Sequence, residues 1–130
     1  MWLFMNDSML SIVEHRADET VLLVRARNEG DIEKVFPMVR TYTDPAADYM
    51  HRAHVPRDLV AKAIAERIAT IGYDNFKNSI PAAEHERHDA YTDVWAVMYG
   101  FQNRGNARKL RSPMSGLNLP RLNENNELEM

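Results

Sequence analysis

Apolar and polar positions alternate along the first quarter of the chain in short runs separated by polar turns, a pattern that predicts strands. Trp2-Leu3-Phe4-Met5 is closed by the turn pair Asn6-Asp7, and Met9 to His15 resumes with Leu10 and Ile12 set against Ser11. After the polar break Arg16–Thr20 comes the strongest strand signal, Val21 to Arg27. A period of two puts Leu22, Val24 and Ala26 on one face and Leu23, Arg25 and Arg27 on the other. Three strands joined by short polar turns read as an antiparallel meander. A helix of about two turns is predicted over Ile32–Phe36, with Asp31 as N-cap and Pro37 as terminator. Val39–Thr43 and Tyr49–Val55 then form a second hairpin around Asp44-Pro45-Ala46-Ala47. In the latter strand Tyr49, His51, Ala53 and Val55 are expected to face the core, and Met50, Arg52 and His54 to face outward.

The period then changes from two to 3.6. Pro56 suits a first helical position, and Val60, Ala61, Ile64, Ile68 and Ile71 fall within about 100° of arc, the width of a core-facing stripe. Gly72 is the expected left-handed terminator. A polar linker, Tyr73–Pro81, carries the aromatics Tyr73 and Phe76. A second long helix is predicted from about Ala83 to Gln102, with Tyr91, Val94, Trp95, Met98 and Phe101 as one buried stripe. Beyond Gly105 the pattern lapses. The organisation predicted is a single α+β domain over residues 1–102 and a flexible polar tail over 103–130. The domain is an antiparallel sheet of about five strands with two long helices on one face, for which a ferredoxin-like arrangement is the natural guess.

Composition narrows this picture chiefly by exclusion. A chain of 130 residues can bury a core without staples, and its lack of cysteine excludes disulfides, thiolate metal sites and cysteine nucleophiles. The same lack fits a reducing compartment, so a cytoplasmic location is expected. No run reaches the roughly 18 apolar residues of a membrane span, and the apolar start reads as structure and not as a signal peptide. The net charge of −3 is uneven: residues 103–130 carry five Lys/Arg against three Asp/Glu, whereas the preceding chain is mildly acidic. That balance argues against a dedicated nucleic-acid-binding domain.

Candidate chemistry is sparse. Glu84-His85-Glu86-Arg87-His88-Asp89 places His85 and Asp89 four apart on a helix, but no HExxH or comparable ligand signature accompanies them. Charge at a helix start is expected from the dipole alone, and His88 is expected to edge the core. No nucleotide-binding glycine motif and no nucleophile elbow is present, so no catalytic residue, metal or cofactor is assigned. His15, His51 and His54 have no partner that spacing assigns. The remaining candidates are binding residues: Arg25, Arg27, Arg40, Arg52 and His54 on the outer sheet face, and Tyr73 and Phe76 in the linker. Arg104, Arg108, Lys109 and Arg111 form the one local basic run.

The stretches MWLFMNDSMLSIV, LLVRAR-x-x-GDIEKVFP and YDNFKNSI…HDAYTDVWAVMY resemble small bacterial proteins of unassigned function, over residues 1–102. The resemblance implies a bacterial origin, with a mobile element as one source, and carries no activity, ligand or mechanism. The reading that follows is a non-enzymatic interaction protein that binds a macromolecular partner, as regulators, immunity proteins and inhibitors of defence nucleases such as anti-CRISPRs do. A protein partner is expected first, and no membrane association. One alternative is nucleic-acid binding through the arginine-bearing sheet face. The other is a small metal-assisted enzyme using His85, His88 and Asp89. A homodimer pairing through the apolar first strand, edge to edge, is also expected.

Overall fold

The structure, a computed structural model, describes residues 1–111. The residues from 112 on, most of the stretch read as a tail, lie outside those described. The chain divides into two compact units, one spanning Met1–His88 and one beginning at Asp89.

The first unit is built on a five-stranded, wholly antiparallel sheet. Its strands are β1 (Trp2–Met5), β2 (Ser8–Glu14), β3 (Val21–Ala26), β4 (Tyr42–Thr43) and β5 (His51–Pro56). The spatial order is β1-β2-β3-β5-β4, so the meander is followed by a hairpin whose second strand docks against β3. The α+β class is as expected. The chain order βββαββαα lacks the β-α-β-β-α-β succession of ferredoxin-like folds.

Register fixes the two faces. Leu10, Ile12, Val24, Ala26, Ala53 and Val55 point to one side and form the core, closed by Ile32, Val35 and Phe36 of α1 (Asp31–Val35) and its C-cap and by Val60 of α2 (Arg57–Ala69). Burial of these branched and aromatic side chains is the main stabilising term, about 1.5–3 kcal/mol for each fully buried one. Arg25 faces Ser11 on β2 and Arg52 on β5 across the other side of the sheet.

Several local expectations are corrected. Gly30, at φ 91°, is the N-cap of α1, and Asp31 is the first helical residue with a side chain buried inside the unit. Pro56 ends β5, so α2 begins at Arg57, whose N–H bonds the Thr20 carbonyl. α2 stops at Ala69, and the Thr70 hydroxyl folds back onto the Glu66 carbonyl, so Gly72 is not its left-handed cap. Ile68, Ile71 and Ala61 are exposed, because the buried seam of α2 runs through Val60, Ala63 and Ile64 to Arg67. In place of an apolar contact at the next turn, Arg67 pairs with Asp7 at 2.8 Å and donates to the Lys34 carbonyl.

The linker contains a single 3-10 turn, Lys77–Ser79, and anchors Ile80 in a buried position. The last helix among the described residues, α3, runs from His85 to Arg111, through the expected end at Gln102.

Candidate functional site

Three surfaces qualify by residue type, and each is built differently. The outer sheet face holds four of the five proposed sheet residues. Arg25 and Arg27 project to the same side at alternate positions of β3 and its extension, and the Tyr49 ring lies against both guanidinium groups, at 4.7 and 4.5 Å from the ring centroid. Tyr49 was expected in the core. It lies before β5 begins at His51, so strand alternation does not reach it, and it folds over the outer face to become buried there. Arg25 donates to the Ser11 hydroxyl at 2.7 Å, and Arg52 donates to the Tyr49 carbonyl at 3.2 Å. Burial raises the Tyr49 phenol, but the Arg27 and Ser11 side chains bonded to it and the nearby positive charge outweigh this, and the net shift is below its ordinary value of 10.0. Arg25, Arg27 and Arg52 therefore converge on one buried tyrosine. Cation–π contact and hydrogen bonds already engage the charge that a phosphate would seek. Arg40 is exposed in the connection before β4 and forms no hydrogen bond or ion pair among the described residues.

Beside this cluster His54 accepts or donates a 3.0 Å hydrogen bond with the Tyr42 hydroxyl, and its ring meets His15 edge-on at 4.7 Å. Sequence spacing had left both histidines without partners. β4 and the end of β2 supply them, since the β3–β5 pairing carries His54 toward both. His15 Nδ1 is itself held by the Ala17 N–H at 3.1 Å.

The second surface is a groove of about 330 Å³ between β1 and the C-terminal half of α2, lined by Leu3, Met5, Ile64, Ile68, Ile71 and Tyr73 among others. Tyr73 and Phe76 meet at 5.9 Å, Tyr73 on the surface and Phe76 half-buried. Of the two linker aromatics, only Tyr73 faces the groove.

The acidic-basic cluster at the start of α3 has a structural role. Arg87 is buried and grips Asp31 with two hydrogen bonds of 2.6 and 3.1 Å, while its Nε donates to Glu84 at 2.9 Å. Asp31 also accepts from the Met9 N–H at 2.9 Å. Lys34 bridges Asp31, Glu84 and the Asp7 carbonyl. The Arg87 hydrogen bond is the leading cause that holds the Glu84 carboxyl below its ordinary value. This network ties the β1–β2 turn, α1, α2 and the head of α3 together. Sequence spacing reads Asp31 as an N-cap and Arg87 as one charge of a helix-start cluster, and it carries no signal of their pairing, because the two lie 56 positions apart. His85, His88 and Asp89 are exposed, contrary to the expected core-edge position of His88. Among the described residues no group of three His, Cys, Asp or Glu side chains is placed to hold a metal ion.

The third surface was not among the candidates. Along α3, Tyr91 is buried, but Val94, Trp95, Met98 and Phe101 of the expected core stripe are 38–61% exposed. Val97 and Tyr99 are exposed as well, and the Trp95 and Tyr99 rings stack in parallel at 5.3 Å. The signal for it lay in Val97 and Tyr99, which widen the apolar arc beyond one core-facing stripe.

No protein-family model matches the chain, and neither the curated proteins nor the solved structures contain a match. Among the described residues no helix is long and apolar enough to cross a membrane.

Proposed function

We propose that the protein is a non-enzymatic interaction protein, and that it binds a protein partner through the exposed face of α3. The observation that carries this reading is the concentration of six large exposed apolar side chains within Val94–Phe101. Such a patch on a water-facing helix is costly unless a second protein surface covers it, and aromatic residues with methionine are the types enriched at interface centres. A catalytic reading has less support. Among the described residues the hydrogen-bonded pair of His54 and Tyr42 meets a second imidazole, that of His15, and is bonded to no hydroxyl nucleophile or carboxylate. The nucleic-acid reading is weakened because three of its four arginines are engaged with Tyr49. A cytoplasmic setting belongs to the same proposal and is supported by the absence of cysteine.

The test is affinity capture from a lysate of the source organism with three baits: the native chain, Met98→Glu, and Arg27→Ala/Arg52→Ala. A protein retained by the first and third baits and lost from the second supports the reading. Capture indifferent to Met98→Glu, or nuclease-sensitive capture lost only with the arginine variant, overturns it.

A further inference from the structure

The charge and spacing of α3 also identify what covers its apolar face. We infer that α3 pairs antiparallel with α3 of a second copy of this chain. The inference rests on the preceding reading of this face as a protein-binding surface and names the occupant.

Two independent features of the helix point this way. Val94, Met98, Phe101 and Gly105 recur at intervals of four, three and four, the seam spacing of paired helices, whereas Tyr91, one step earlier, is already buried within the chain. Charge is also distributed lengthwise, with Asp89 and Asp93 in the first half and Arg104 and Arg108 in the second. Asp93 and Arg104 lie equally far from the midpoint between Met98 and Tyr99. At 100° per residue they also lie within about 20° of each other on the same flank of the seam.

A two-fold axis through that midpoint sets Asp93 of each copy beside Arg104 of the other, twice per dimer. It also lays the Trp95–Tyr99 stack along the partner's Gln102 and Met98 positions. A parallel pair would instead set the two copies of Asp93, like those of Arg104, at one level but on opposite flanks of the seam, so that neither ion pair forms. The face is thus self-complementary in one orientation, as an isologous contact requires. This interface is distinct from the β1 edge expected from the sequence.

The test is the solution mass of the full chain over a concentration series. The expected species is twice the 15.0 kDa of one chain. Asp93→Arg or Arg104→Asp alone should weaken the dimer about tenfold, since two ion pairs become repulsive, and the two reversals together should restore it. Because the chain has no cysteine, Trp95→Cys and Gln102→Cys chains report orientation. A disulfide that forms in the mixture and in neither chain alone supports the antiparallel pair, and one formed within either chain alone overturns it. A monomeric native chain also overturns the inference, as does a dimer indifferent to Met98→Glu. Those two results leave the reading of α3 as a contact surface to be judged by the capture experiment. A native monomer whose captured protein is lost with Met98→Glu retains the surface and removes the second copy.

Discussion

At the scale of single residues, the polar groups that matter most are those taken out of water in complete sets. Asp31 accepts from Arg87 twice and from the Met9 amide, and its carboxylate is 1% exposed. Arg87→Ala would remove the two closest donors of that buried carboxylate and leave the Lys34 ammonium, 3.8 Å away, as its counter-charge, a loss of about 3 kcal/mol. A urea titration should show it as a lowered midpoint, and Asp31→Asn/Arg87→Met should lose less than the two single changes summed. Tyr49 offers a spectroscopic check. Its phenol should ionise below the ordinary 10.0, visible as an early step in the tyrosinate absorbance titration, and Arg27→Ala should move that step upward. Between the folded value and 10.0 the unfolded chain still holds a proton that the folded chain has released, so stability rises with pH in that window alone.

At the scale of elements, two helices are positioned by contacts that their own periodicity does not announce. α1 starts because Gly30 takes φ 91°, and a side chain added there would meet nothing within 4 Å. Gly30→Ala should therefore lose only the backbone cost of the left-handed region, about 1–2 kcal/mol, measured by the same titration. α2 is held at its C-terminal half by the ion pair of Arg67 with Asp7. Burial raises the Asp7 carboxyl, but the Arg67 hydrogen bond and charge outweigh it and set it below its ordinary 3.8. Glu84, bonded to Arg87, is held below 4.5. Both folded values are depressed, so their stabilisation is complete above the ordinary values and is lost as pH falls through the lower, folded ones. An acid titration should accordingly show a loss of stability below about pH 4 that is smaller in Asp7→Asn.

At the scale of the whole molecule, folding and association draw on different residues. The core of the first unit is formed by one sheet face, α1 and Val60 of α2, and the Val94–Phe101 patch belongs to the second unit. Met98→Glu should thus shift stability by no more than about 0.5 kcal/mol, as surface changes do, while changing mass or partner capture strongly. The two measurements on one variant separate a surface used for binding from a side chain used for folding.

The alternation over residues 2–27, the turn at Asp44–Ala47 and the change of period at Pro56 determined the strands, their antiparallel class and the existence of both long helices, because these depend on local spacing alone. Leu22, Val24, Ala53 and Val55 were legible as inward-facing for the same reason. The side on which Tyr49 lies, the partners of Arg25, Arg27 and His54, and the burial of Asp31 and Arg87 were decided by tertiary structure. Each depends on residues up to 56 positions away in sequence meeting across the sheet or beside α1. The stripe on α3 shows the boundary between the two. Its spacing states that the helix has an apolar face, but an amphipathic pattern is the same whether the covering surface belongs to this chain or to another, and only the three-dimensional arrangement leaves Trp95, Met98 and Phe101 in water.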